Sequence, residues 1–182
     1  MSRPTPVMLR EVLGLTFEPA QVVAMVGFGV VLAAVTLPGT GEVAAWRLAL
    51  GGALIADIGA GCLSNFTAST NGYYAERPAL RWRFIAAHVH LLVVAWALGW
   101  PMAPAVAVWA WTIVSASVVN RLAGSPSQRV VAGGLFATSL LAPLGWPMPT
   151  AMQVVSALFT LKVAYAFAVR HSVNDSSYRP AP

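Results

Sequence analysis

Four ionisable side chains stand inside apolar stretches of the chain: Asp57, His88, His90 and Lys162. An ionised group at the centre of a membrane helix costs roughly 2.5–3.5 kcal/mol, so each is a functional candidate by default. Asp57 lies eight residues before Asn65, and Lys162 eight residues before Arg170. At 1.5 Å of rise per residue both sit ~12 Å from the same end of their helices. If those helices are neighbours, an Asp57–Lys162 pair would make both charges tolerable and would hold a proton-exchanging carboxylate in a dry place. Lys162 could instead snorkel to the headgroups along its own stem, whereas the short Asp57 side chain cannot.

His88 and His90 are two residues apart, which on a continuous helix is about 200° of rotation, so they are not expected to share one site or chelate one metal. A histidine in such a setting suits proton transfer near neutrality. No second histidine pair is placed across the membrane for haem, and the chain calls for neither a metal nor a cofactor. Asn65, Asn71, Tyr73, Tyr74, Arg81, Arg83, Asn120 and Arg121 lie in or next to the same half as the four ionisable groups. The opposite half is almost purely apolar, apart from Gln153 and Thr36.

The elements that must carry these residues follow from composition. Of 182 residues, 58% are hydrophobic and 9% charged, and the mean hydropathy is +0.70. Soluble domains carry roughly 25% charged residues, so an ordinary soluble protein is excluded, as is a disordered chain. The lone Cys62 excludes a disulfide scaffold. The expected fold is all-α, a polytopic integral membrane protein. Six apolar stretches, near 19–38, 44–65, 83–100, 103–121, 129–146 and 149–170, approach the ~20 residues needed to cross the hydrocarbon. The first resembles a secretory signal in its flanks but is long enough to be a retained span. The whole chain reads as a single membrane domain: segment 1–18, six helices over 19–170 and a tail over 171–182.

Nine of the eleven Lys and Arg residues fall in the N-terminal segment, the second and fourth connections and the tail. The positive-inside rule then places both termini in the cytoplasm and leaves short periplasmic turns on the far side. The net charge of +5 is accounted for by topology and anionic lipid, with no nucleic-acid partner. Leu98-Gly99-Trp100-Pro101-Met102 recurs as Leu144-Gly145-Trp146-Pro147-Met148, which is either shared turn chemistry or a duplicated helical hairpin. The long cytoplasmic loop between helices 2 and 3, from Asn65 to Trp82, is rich in aromatic residues and is expected to be ordered. An interfacial helix would set Tyr73, Tyr74 and Trp82 at headgroup level. Asn65-Phe66-Thr67 matches a glycosylation sequon but falls on the wrong side for one.

A pore or carrier needs polar groups at several depths, and these are confined to one half. The sequence therefore favours an intramembrane enzyme that performs acid–base chemistry of the isomerase or cyclase type on an isoprenoid or other lipid. Its pocket would face the cytoplasm. Asp57, His88, His90 and Lys162 would be catalytic. Asn65, Asn71, Tyr73, Tyr74 and Asn120 would orient the substrate, and Arg81, Arg83 and Arg121 would hold an anionic head. Likeness of plan to small multi-helix isoprenoid isomerases and cyclases is analogy without an aligned motif. The alternative is a small proton-linked transporter or channel, and a homo-oligomer is compatible with either. The expected partners are membrane lipids and a hydrophobic or anionic-headed small molecule, and the expected location is the cell membrane, as a multi-pass protein.

Overall fold

The computed structural model describes residues 2–171; most of the tail expected at 171–182, including Arg179, lies outside them. The fold is all-helical: of the described residues, 76% are in helices and 2% in strands. Two short strands, β1 (Arg3–Pro4) and β2 (Thr16–Phe17), pair antiparallel and close a hairpin that contains α1 (Arg10–Leu13). The main helices follow: α2 (Pro19–Thr36), α3 (Ala45–Ser64), α4 (Ala68–Ala75), α5 (Pro78–Ala87), α6 (His90–Leu98) and α7 (Met102–Arg121). The last are α8 (Gln128–Ser139), α9 (Ala142–Gly145) and α10 (Thr150–Thr160), which runs on into a π-helical segment, Leu161–Phe167.

Among the described residues, four helices are long and apolar enough to cross a membrane: Pro19–Thr36, Ala45–Ser64, Met102–Arg121 and Thr150–Phe167. The other two expected spans are each broken. Residues 83–100 divide between α5 and α6, because His88 (ψ 73°) and Val89 (ψ 5°) leave the helical region. Residues 129–146 divide between α8 and α9. Pro143 has no N–H to give Ser139, and its ring clashes with that carbonyl, which ends the helix a turn before the proline.

The last helix is the axis of the bundle. It packs on α3, α6, α7 and α8, and Val155, Phe159, Val163, Ala164 and Ala166 are fully buried. By contrast, α2 is peripheral and rests mainly on α3. Glycine permits that contact: a Cβ on Gly29 would lie 2.3 Å from the Ala56 carbonyl oxygen, and one on Gly59 3.0 Å from the Gly29 Cα. Such backbone approach is how membrane helices gain packing energy without a hydrophobic driving force.

The repeated pentapeptide does not repeat in structure. Gly99 adopts φ +67° and ends α6, with the Trp100 amide donating to the Ala95 carbonyl, and Trp100 is buried. That is the left-handed cap glycine favours. In the second copy Gly145 stays helical in α9, and Trp146 is exposed. The duplicated-hairpin reading is therefore not carried into the fold; shared turn residues remain.

Residues 65–82 are ordered, as the aromatic content suggests, but not as one interfacial helix. Thr67 caps α4 by accepting from the Thr70 amide, and Pro78 at the start of α5 begins a second helix. Tyr74 points inward and is buried, while Trp82 is exposed. Unforeseen is the N-terminal hairpin, which folds over α4. The Tyr74 hydroxyl donates to the Glu11 carbonyl at 3.0 Å, and the Ser64 and Thr70 hydroxyls donate to that of Val12. Gly14, at φ +73°, lies so close to Ser69 that a Cβ would be 2.2 Å from its backbone.

Candidate functional site

Lys162 and Asp57 meet. The Lys162 ammonium donates to Asp57 Oδ2 at 2.6 Å and to the Asp57 backbone oxygen at 3.3 Å. Lys162 is buried, so it does not snorkel. Its stem crosses α3 over Gly61, where a Cβ would sit 2.3 Å from Lys162 Cε and 2.8 Å from Nζ. The small residue at 61 is what lets the ammonium reach the carboxylate. Asp57 corrects an expectation, because it is not sealed in the interior. Its side chain is 51% exposed and lies on the outer face of α3, in a lane with Ala53, Ala49 and Trp46. Oδ2 also faces His90 Nε2 at 3.8 Å, an ion-pair distance if the ring is protonated. Among the described residues, Oδ1 has no hydrogen-bond donor.

The second correction concerns the histidines. The helix break overrides the rotation expected of a continuous helix, and the His88 and His90 rings come within 5.0 Å, centroid to centroid. The local bonding maintains the break. The His88 amide turns to the Ile85 carbonyl, leaving Phe84, its normal helical acceptor, to take a bond from the His88 ring. His88 Nδ1 lies 2.5 Å from the Phe84 oxygen, and a carbonyl can only accept, so Nδ1 carries the proton. The His88 carbonyl is free at the break and accepts the Trp109 indole N–H at 2.9 Å. His88 is thus fixed as the tautomer whose Nε2 presents a lone pair, and that nitrogen has no partner among the described residues.

His88 lines a cleft of about 210 Å³, together with Glu11, Tyr74, Leu80, Arg83, Phe84 and Ala87. One wall is aromatic: Phe84 stacks on Phe167 at 3.7 Å, and the Tyr74 ring meets both edge-on. Outside the spans, burial pushes the Tyr74 phenol well above its usual range, and Glu11 and Tyr73 nearby add to the effect. Tyr74 therefore stays protonated and donates to Glu11. Arg83 and Glu11 are both exposed, yet they make no ion pair with each other. A chain of titratable groups runs from this cleft through His88 and His90 to Asp57 and Lys162.

A second polar cluster sits at the end of the last helix. A helix leaves its final carbonyls unsatisfied, and a wide π turn displaces others. Here side chains from four other segments supply the missing donors. Asn65 Nδ2 donates to the Lys162 oxygen at 3.3 Å and Asn71 Nδ2 to that of Val169 at 2.9 Å. Arg81 Nη2 donates to the oxygens of Ala168, at 2.8 Å, and Phe167, at 3.3 Å. Its Nε donates to Asn120 Oδ1 at 2.6 Å. Gln128 Nε2 bridges the oxygens of Val119 and Ala168, each at 3.0 Å. Asn71 Oδ1 then accepts the His171 amide at 3.0 Å, and Gln128 Oε1 that of Arg170 at 3.2 Å. Asn65, Asn71, Arg81, Asn120 and Gln128 are all buried.

The twelve residues singled out from sequence thus divide. Asp57, His90 and Lys162 converge, with His88 beside them, and His88, Tyr74 and Arg83 share the cleft. Asn65, Asn71, Arg81 and Asn120 bond the backbone or one another. Tyr73 lies under the Arg77 guanidinium at 4.2 Å, and Arg121 lies over the Trp82 ring at 5.2 Å; the three arginines do not form one anion site. Gln128, Trp109, Gly61 and Glu11 were not singled out for these roles. Only Gly61 carries a legible signal, since it lies one turn beyond Asp57 on α3. The polar groups of the opposite half are spent locally: Thr36 donates to the Leu32 oxygen at 2.7 Å and Gln153 to that of Met148 at 2.9 Å.

The chain matches no protein-family model, no curated protein and no solved structure. No group of three or more His, Cys, Asp or Glu among the described residues is placed to hold a metal ion.

Proposed function

We propose that the protein is an intramembrane enzyme that moves protons on a lipid substrate, an isoprenoid or another lipid, bound in the cleft beside His88. The observation that carries this reading is the meeting of His88 and His90 at the helix break, which joins an open cleft to the Asp57–Lys162 pair. His88 Nε2 is the base: its tautomer is fixed by the Phe84 carbonyl, it has no partner among the described residues, and His88 lines the cleft. His90 and Asp57 behind it hold and return the proton, and Lys162 keeps Asp57 charged and in place. A proton taken from one carbon and returned to another balances without a co-reactant, which is why isomerase or cyclase chemistry suits the groups present. Arg83 holds the anionic part of the substrate, and the Phe84 and Tyr74 rings that line the cleft face any cationic character in the part bound there.

In this reading α5–α6 and α8–α9 each cross the bilayer as an interrupted helix, giving a six-pass cell-membrane protein with its basic end and both termini in the cytoplasm. Asn65, Asn71, Arg81 and Asn120 serve the fold and not the substrate. A proton-linked transporter remains the competing reading, and the broken third segment favours it, because discontinuous helices build many carrier sites. Against it stands the local bonding of the polar groups in the opposite half, which supplies no continuation of the path.

The test is an untargeted comparison of lipids after incubating purified protein in vesicles made from a bacterial lipid extract. A product isomeric with its substrate is expected from the wild type and a loss of about 100-fold or more from His88→Gln, the usual scale for general acid–base groups. Identical lipid profiles with and without the wild-type protein contradict the reading.

A further inference from the structure

The cleft beside His88 is lined by opposite charges, Glu11 and Arg83, and they are not used up on each other. Glu11 comes from the N-terminal hairpin and Arg83 from α5. Both side chains are exposed, and neither takes part in a salt bridge or side-chain hydrogen bond among the described residues. The hairpin is not loosely placed: bonds from Ser64, Thr70 and Tyr74 to the Val12 and Glu11 carbonyls fix where Glu11 stands. Two unpaired, opposite charges lining one cleft match a ligand that carries both signs. At about 210 Å³ the gap is smaller than the roughly 300–1,000 Å³ of sites that enclose a whole drug-sized molecule. It therefore suits a polar head and leaves the apolar remainder outside.

Resting on the reading of this cleft as the substrate site, we propose that it recognises a zwitterionic phosphate ester bearing a primary ammonium two carbons away, as in an aminophospholipid headgroup. Arg83 takes the phosphate in a charge-assisted fork. Glu11 accepts from the ammonium, and the Tyr74 and Phe84 rings flank it. His88 lines the same cleft. A purely anionic head would place a like charge against Glu11, and a quaternary ammonium would leave the Glu11 oxygens without a donor.

The probe is wild-type protein in nanodiscs holding equal amounts of phosphatidylethanolamine, phosphatidylglycerol and phosphatidylcholine, with retained lipid read by native mass spectrometry after extraction into detergent. Phosphatidylethanolamine is expected to be enriched at least fivefold over each of the others. Glu11→Gln should erase its advantage over phosphatidylglycerol, and Arg83→Gln should lower retention of all three. Soluble glycerophosphoethanolamine, added in excess, separates the sources: displacement of the lipid shows that the head alone is recognised, and its failure to displace shows that the membrane-borne form is the ligand. Equal retention of the three lipids by the wild type, or an unchanged ratio in Glu11→Gln, overturns the assignment. Retention is read on the wild type and needs no turnover, so enrichment of phosphatidylethanolamine beside an unchanged lipid profile upholds this assignment while contradicting the proposed reaction.

Discussion

Two polar clusters occupy the same end of this apolar bundle, and they are built in opposite ways. Around Arg81 the side-chain partners are mostly backbone carbonyls, and Arg81, Asn71, Asn120 and Gln128 are buried. Around Asp57 the partners are largely other ionisable side chains, and bonding atoms remain unused: Asp57 Oδ1, on a half-exposed side chain, and His88 Nε2, which has no partner among the described residues. Burial of polar groups in a membrane protein is thus no guide to chemistry by itself. The informative feature is whether unmet bonding capacity is accessible: Arg81 Nη1 also lacks a partner among the described residues, but it is sealed from solvent inside its cluster. The Arg81 cluster is a socket that holds the end of the central helix, where a guanidinium also complements the negative end of the helix dipole; the Asp57 cluster keeps capacity in reserve.

If that contrast is sound, the largest effect belongs to the socket. Arg81→Leu removes the donor to Asn120 Oδ1 and to the Phe167 and Ala168 oxygens in one step. Unsatisfied buried polar groups cost about 1–3 kcal/mol each, so a loss of about 3–5 kcal/mol is expected. Chemical or thermal unfolding in detergent measures it, and a stability unchanged within 1 kcal/mol of wild type, an about fivefold shift in the folded ratio, would put the socket in doubt.

The open cluster should respond in reverse, with chemistry changing more than stability. In Gly61→Ala the new methyl group displaces the Lys162 ammonium, which is the far end of a flexible chain, so the stability cost should be only about 1 kcal/mol. Asp57 then loses the ammonium that occupies its Oδ2, and labelling by a hydrophobic carbodiimide should rise severalfold over wild type. Labelling at the wild-type rate would mean that Gly61 does not gate the pair.

The smallest effect tests the rim of the socket. Burial, aided by the Arg129 and Arg81 charges, lowers the His171 imidazole below its usual value, although hydrogen bonds to the Ala166 and Tyr165 backbone oppose the shift. The unfolded chain therefore binds this proton more readily than the folded one. Stability should be full above the ordinary histidine value near 6.5 and fall as pH drops below it. His171→Gln should flatten a small part of the acid limb in pH-dependent unfolding; an acid limb that matches wild type would remove His171 from the account.

Sequence carried the all-helical class with apolar helices long enough to cross a membrane, the common depth of Asp57 and Lys162, and the segregation of polar groups to one end, because hydropathy and rise per residue are local quantities. It did not carry the two helix breaks equally. Pro143 announces the one after α8, but nothing in Ala86-Ala87-His88-Val89-His90 announces the other. That break depends on an indole from α7 and on an imidazole replacing a backbone donor, both tertiary choices. Asn65, Asn71, Arg81 and Asn120, expected to meet a substrate, bond backbone carbonyls or one another, which was illegible for a related reason. An amide or guanidinium that will bind a carbonyl from another segment cannot be told by type from one that will bind a ligand.

The meeting of the two histidines at the helix break is the claim on which the catalytic reading rests, and the chain's three histidines make it measurable. Magic-angle-spinning NMR of histidine-labelled protein in bilayers, assigned with His88→Gln and His90→Gln, should give a through-space correlation between the two rings and a His88 spectrum of the Nδ1-protonated tautomer. Absence of that correlation, with each ring contacting only its own helical neighbours, would restore a continuous helix and contradict the account.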